Sequence, residues 1–498
     1  MRRTVAQLLL SLLLLPCPAA PKAPPRVLVF TNVNVIDISG GPMLRSVNVV
    51  IHNDRIVAIS KRAVIHLGRN VQVVNAAGKF LIPGLWDMHV HTALRPEADL
   101  SSRSLLSLYL AYGVVGVRDM GGDWARLAAL RKELAEGKLQ GAALLAAGPF
   151  VDGPQEANAT VIPVLSAEQA RAAVRRLKSD GVDFVKVQAG LTREAFFAVA
   201  DEARKSGMVF AGHVPESLNA AEVSDAGQKS VEHVSPALPG DAGILLACSS
   251  REEELRRELK ALREMEADPK ASADEYRART RKLQADLLDS YDAEKAAAVM
   301  KHLARNRTWV VPTLIWSQSF RPLSKEDTGA RLPMNQLPAK LRQRWLAGRQ
   351  RYLEAVAAET LALNQRVARR SIEFVGALQR AGVPLLAGTD STDAFVVAGF
   401  SLHQELELLV AAGLTPLQAL QTATLHPARF LGQASERGSV DKGRVADLVL
   451  LDANPLDDIH NTRRISAVVI GGKYMPRNDL DKILANLEKA GEAAEPKP

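Results

Sequence analysis

Residues 81–92, "LIPGLWDMHVHT", decide how the rest of the chain is read. An apolar run with the texture of a buried strand delivers two histidines at its end, His89 and His91, with Asp87 just ahead of them. Alternate residues of a strand project to the same side, so His89 and His91 point together while Val90 points away. Two neutral imidazoles converging on one point are a natural start to a transition-metal site. An isolated pair is equally the outer face of a surface strand, so the remaining sequence has to decide.

Working outward, short β-branched runs alternate with alanine- and leucine-rich helical stretches. Strand candidates fall at Leu81–His89, Val114–Arg118, Ala143–Ala147, Asp183–Val187, Met208–His213, Ser230–His233, Thr308–Pro312 and Pro384–Thr389. Strands joined in this way predict an α/β fold, a (β/α)8 TIM barrel occupying residues 81–435, with its chemistry at the C-terminal strand ends. From Arg26 to Asn75 apolar and polar residues alternate in pieces such as "RVLVFTNVNVIDI", punctuated by Gly, Pro and Asn. The same period-2 texture returns in "GRVADLVLLDANP" and "ISAVVIGGKYM". Residues 24–80 and 436–480 therefore predict one composite β domain assembled from both termini, followed by a C-terminal tail, 481–498. Residues 250–306 depart from the barrel spacing, being dense in charge at helical intervals. They read as a solvated helical hairpin, with a lid over the barrel mouth as the sharper alternative.

With 498 residues, 47% of them hydrophobic, the chain has ample material for a large core beside a smaller domain. The net charge of +8 is spread thinly, and no Lys/Arg run is interleaved with aromatics, which argues against a nucleic-acid surface. Residues 1–23 combine a basic start (Arg2, Arg3), an apolar stretch and then small residues with prolines. That stretch falls short of the roughly 20 apolar residues of a spanning helix and has the form of a signal peptide, predicting a secreted or periplasmic protein. Lipid anchoring at Cys17 is the weaker alternative, because Pro16 precedes it. Cys248 is then the one cysteine left, so the mature chain forms no internal disulfide and any metal must use His, Asp, Glu or Lys.

The candidate strand ends carry a specific set of ligand-capable residues: His89 and His91, Lys186 in "DFVKVQ", His213 in "AGHVPE", His233 in "SVEHV" and Asp390 in "LLAGTD". Four of the ten histidines thus fall at the predicted catalytic face. A lysine inside an apolar strand has a depressed pKa and a nucleophilic amine. Such an amine can capture carbon dioxide as a carbamate able to bridge two divalent metals. It can instead pair with Asp183 or Asp390, or reach solvent past its apolar stem.

With these residues in view, the sequence resembles the amidohydrolase superfamily, and within it the imidazolonepropionase-like and prolidase-like (Xaa-Pro dipeptidase) branch. The resemblance rests on "PGLWDMHVHT", the single lysine, "GHVPE", "SVEHV", "AGTDS" and the C-terminal "LTPLQALQTATLHPARFLG" and "GSVDKGRVADLVLLDANPLDDI", and spans about Val27 to Tyr474. It implies a distorted barrel with a flanking β-sandwich and a binuclear metal site. His89, His91 and Asp390 match the ligands of the more buried ion, His213 and His233 those of the exposed one, and Lys186 the bridging carboxylated lysine. Zinc is the usual occupant of such donors, with manganese, cobalt or iron as alternatives.

Two divalent ions about 3.5–4 Å apart lower the pKa of a bridging water enough to supply hydroxide, which attacks the substrate carbonyl. Asp390 is then placed to take the proton and pass it to the departing amine. The resemblance implies hydrolysis of an amide bond in a small molecule, a dipeptide or N-acyl amino acid. A cyclic amidase or lactonase, or a non-catalytic scaffold, are the rivals, and a homo-oligomer stays open. Arg118 and Arg321 are candidates, by location, to meet a substrate carboxylate. Asp119 in "GVRDMGG" fits turn chemistry. His403 and Glu405 read as structural, with a rim contact open to His403, and His426, ahead of a proline, as a capping or packing residue.

Overall fold

The computed structural model describes residues 27–62, 71–94, 100–235, 240, 242–327, 329 and 332–493. The expected signal segment 1–23, with Cys17, lies outside them. Among the described residues no helix is long and apolar enough to cross a membrane.

Strands from both ends of the chain form one mixed sheet of eight. Its order runs Lys473–Pro476, Ile465–Ile470, Leu448–Leu451, Phe80–Pro83, Val27–Val35, Leu44–His52, Arg55–Ser60, with Val71–Asn75 also paired to Val27–Val35. The period-2 alternation explains how this sheet joins the rest of the molecule. Leu448 and Leu450 enter the apolar core of the terminal region with Phe30, Val49 and Leu81, whereas Val449 and Leu451 face the large central core.

In the central region Leu85–Val90, Val114–Asp119 and Ala143–Ala146 form one parallel group. A second parallel group runs in the order Val161–Pro163, Phe150–Asp152, Phe184–Val187, Val209–Gly212, Ser230–Glu232, Trp309–Val311. At one junction of the groups the Asp183 N–H donates to the Ala146 carbonyl (2.9 Å), and the Ala146 N–H donates to the Asp183 carboxylate (2.8 Å). At the other, residues 384–391 lie between Trp309–Val311 and Leu85–Val90. The Val310 N–H donates to the Pro384 carbonyl (2.9 Å) and the Met88 N–H to the Ala387 carbonyl (2.9 Å).

Residues 384–389 are not the regular strand the sequence predicts. They make only isolated parallel bridges, Val310 to Leu385 and, just beyond, Val90 to Ser391. The reason is local. The N–H groups of Thr389 and Asp390 both donate to the His89 carbonyl, and Asp390 turns to φ 55°, which breaks the ladder. Gly388 permits the approach, since a Cβ there would lie 2.6 Å from Val311 Cγ1 and 2.9 Å from the His89 backbone nitrogen.

Helices fill the connections, capped as their sequences direct. Ser166 caps Ala167–Asp180 and Thr192 caps Arg193–Ser206, and each helix ends on a left-handed glycine, Gly181 and Gly207. The charged stretch forms helices Glu252–Ala267, Ala273–Asp289 and Ala293–Asn306, the first two packing through Leu255, Leu259, Leu262, Leu283 and Leu287. Sequence reading missed a second helical excursion, Leu314–Ser319, Ala339–Ala355 and Ala358–Arg380, inserted ahead of residue 384. The expected tail is also corrected in part. Arg477–Ala493 is a helix, and Leu480, Leu484 and Leu487, spaced by four and three, are buried.

Candidate metal centre

The ends of the parallel strands bring the sequence candidates together. Donor atoms of His89, His91 and Asp390 lie within 4.8 Å of one another, with the Asp390 carboxylate 3.3 Å from His91 Nε2 and 3.6 Å from His89 Nε2. The ring of His233 lies 4.7 Å from that of His89 and 4.8 Å from that of His213. Lys186 is buried, and its charge acts on His89, His213 and His233. A pocket of about 230 Å³ opens onto the group, lined by His91, His213, His233, Asp390, Gln188 and Trp316 among others.

Three imidazoles are oriented by acceptors that occupy their Nδ1 atoms. His89 Nδ1–H donates to the Glu232 carboxylate (2.9 Å), His91 Nδ1–H to the Gly121 carbonyl (2.8 Å), and His233 Nδ1–H to the Thr313 hydroxyl (2.8 Å), which itself donates to the Pro312 carbonyl. Each Nε2 is thereby left as a lone pair, the form a metal requires. Burial, reinforced by the Lys186 charge, holds His89 and His213 far below the usual imidazole range; burial, with the competing His89 ring and the Lys186 charge, does the same for His233. His89 Nε2 is buried and makes no hydrogen bond among the described residues. An orphaned buried acceptor, beside two further imidazoles and a carboxylate, is the donor set of a divalent transition ion, so these residues fit the group.

The backbone is strained where these residues sit. His233 (φ 65°), Thr313 (φ 47°) and Asp390 (φ 55°) all occupy the left-handed region, at about 1–2 kcal/mol each. Two buried carboxylates brace the strand ends. Asp87 accepts from the Thr389 N–H and hydroxyl, tying residues 384–391 to the His89 strand, and burial raises its pKa to about 7. Asp119 accepts from Thr92 and the Gly121 N–H, the turn role read from the sequence, and burial raises its pKa to about 6.

Arg118 is corrected from its suggested role. It is fully buried below the site, donating to the Met88 carbonyl (2.6 Å), the Ser230 hydroxyl (2.9 Å) and both Glu232 oxygens (3.0 Å), and so does not reach substrate. Glu232, which sequence reasoning passed over, is the hinge of this arrangement. The available signal was an acid inside the short buried strand "SVE", which demands a partner. Arg321 donates to Gln284 on the helical insert (3.1 Å). His403 is buried with its ring bonded to Thr462 and Tyr112, which removes the rim contact open to it. Glu405 accepts the first N–H groups of Leu314–Ser319, and His426 packs on Trp309 while bonding the Leu385 carbonyl. Cys248 is buried, its thiol pushed up to about 12 by burial, in keeping with a passive role.

Parallel strands thus end in a His/His/Asp cluster with the donor chemistry of a divalent-metal site, and the comparisons supply the family. The chain belongs to the amidohydrolase family, whose sequence model matches residues 80–475. No curated protein matches the chain by sequence. Solved structures it resembles include the bottromycin amidohydrolase (22% identity, TM-score 0.71, covering 94% of this chain and 91% of that one). A prolidase complexed with N-methylphosphonate-L-proline is 20% identical (TM-score 0.62; 91% and 100%). A Xaa-Pro dipeptidase with methionine bound in its active site is 18% identical (TM-score 0.61; 90% and 100%). The chain is thus an enzyme that hydrolyses carbon–nitrogen bonds, of a family that generally works with a divalent metal.

Proposed function

We propose that this protein hydrolyses the amide bond of a dipeptide or an N-acyl amino acid on two divalent ions, zinc by preference. His89, His91, Asp390, His213 and His233 would hold them, together with Lys186 carboxylated by carbon dioxide. The observation that carries this reading is that His91, His213, His233 and Asp390 line one pocket, with His89 donor atoms within 4.8 Å of those of His91 and Asp390 and three Nδ1 atoms already occupied. Divalent ions bound there polarise a carbonyl and lower the pKa of water towards neutrality. Lys186, buried among imidazoles, changes as a carbamate from a cation that opposes metal binding into an anion that favours it. Asp390 lines the pocket beside the imidazoles, where its carboxylate can hold the proton of the attacking water and release it to the departing amine.

On this reading residues 81–435 close as a distorted (β/α)8 barrel, flanked by a composite sandwich domain from 24–80 and 436–480, and residues 1–23 direct export. The prolidase and Xaa-Pro dipeptidase likenesses support the linear substrate class.

The test pairs elemental analysis of chelator-free protein with a substrate panel. About two metals per chain, falling in Lys186→Ala, and turnover of Xaa-Pro dipeptides or N-acyl amino acids are the expected results. Asp390→Asn should keep much of the metal and lose about 10²–10⁴ in kcat. Protein without metal, or turnover confined to cyclic imides and lactones, refutes the proposal.

A further inference from the structure

An apolar cavity lies beside the metal pocket, the two sharing Thr392. It has a volume of about 730 Å³, within the range of about 300–1,000 Å³ typical of small-molecule sites. Helix Ala339–Ala355 forms one wall and the loop that leaves Asp390, residues 392–398, forms another. Leu105, Leu341, Trp345, Phe395 and Val397 make its lining predominantly apolar.

Two observations connect this cavity to the chemistry. Thr392, two residues beyond Asp390, lines both the metal pocket and the cavity. A line of rings also leads from one to the other. Trp316 in the metal pocket lies 5.5 Å from His233, and 4.8 Å from Phe320, which lines the cavity. The helical wall is held rigidly rather than loosely, since Arg349 donates to the Ser319 and Asp327 carbonyls and stacks 4.0 Å over the Phe395 ring.

The metal pocket itself is smaller, about 230 Å³. We propose that the apolar cavity receives the aliphatic chain of the substrate's acyl group, so that the preferred substrates are amino acids carrying a medium-chain N-acyl group. This rests on the amide-hydrolase reading above and names the substrate within it. Chain burial is uniform binding, expressed chiefly in KM, and each methylene removed from water contributes about fourfold.

Gly348 provides the test. It lines the cavity from the helix and not the metal pocket, and a Cβ there meets nothing within 4 Å, so a larger side chain starts in open space. Calorimetric titration of the intact, metal-replete protein with sodium decanoate below its micelle concentration should show saturable binding that survives chelation of the metal. Gly348→Ala should retain that binding, and Gly348→Trp and Gly348→Leu should weaken it, the tryptophan variant by at least tenfold, with unchanged thermal melting as the check on folding. In kinetics, kcat/KM for an N-decanoyl amino acid should exceed that for its N-acetyl analogue by at least about 100-fold, the worth of three to four of its eight extra methylenes at about fourfold each. Gly348→Trp should collapse that ratio while leaving the N-acetyl value unchanged. Absence of saturable decanoate binding, or equal binding by Gly348→Trp, overturns the assignment. Gly348-sensitive binding without cleavage of any linear amide supports the cavity and removes the hydrolytic reading instead.

Discussion

Replacing Glu232 by glutamine tests the arrangement beneath the candidate metal centre most directly. The side chain is fully buried and meets the guanidinium of Arg118 at 3.0 Å and His89 Nδ1 at 2.9 Å. The Glu232→Gln change keeps the shape and removes the charge, leaving Arg118 as a buried cation without its counter-ion. Removing one partner of a buried pair costs about 3–5 kcal/mol. With about 2.1 cal/mol/K of unfolding entropy per residue, a chain of 498 residues carries about 1 kcal/mol/K, so Tm should fall by about 3–5 °C. His89 loses its carboxylate acceptor as well, and loss of such a partner lowers metal affinity by about 10–100-fold.

Adding Arg118→Met separates the two effects. The double variant no longer holds an unpaired charge, so its melting temperature should recover most of the loss, while its metal affinity stays depressed. Thermal unfolding and competition with a metallochromic chelator, run on wild type, both single variants and the double variant, read the cycle. Wild-type metal affinity in a folded Glu232→Gln protein would refute the idea that Glu232 orients His89 and raises the basicity of its Nε2.

Three shorter predictions accompany it. His403 is held to about 4 by burial, against an ordinary value of 6.5, so the unfolded chain binds more protons between those values. Its contribution is complete above pH 6.5 and is lost as pH falls towards 4, by about 3 kcal/mol in total. Urea unfolding at pH 7 and 5 should show a smaller difference for His403→Gln than for wild type, and an equal difference refutes the assignment. Gly388→Ala should cost about 1–3 kcal/mol and lower metal occupancy, because the new methyl group meets the His89 backbone and must displace the segment carrying Asp390; full occupancy by elemental analysis contradicts this. Arg263→Met should free the helical insert from the bidentate Glu216 contact three residues after His213, seen as faster hydrogen exchange over residues 252–267 with exchange in the central strands unchanged.

Much of this architecture is legible in local sequence because its signals are local. Period-2 alternation in 27–60 marks strands that bury one face in the terminal core, and in 448–476 strands that send alternate residues to two cores; seven of the eight central runs coincide with observed strands. The eighth does not, because what shapes residues 384–391 is a shared acceptor on His89 and a turn at Asp390, neither of which periodicity records. The helices of 314–380 were passed over for the opposite reason. Their pattern is helical, but so is that of every barrel connection, and nothing local shows that this one folds out to wall a cavity.

By itself the sequence determined which residues could bind metal, since only a few side chains have the donor chemistry, and a strand places His89 and His91 on one side. Tertiary structure alone decided how they are held. Glu232, Gly121 and Thr313 lie 143, 30 and 80 positions from the histidines they orient, and a tautomer depends on an acceptor's position in space. The same holds for Arg118, whose charge suits a substrate carboxylate equally well until folding closes it beneath the site against Glu232.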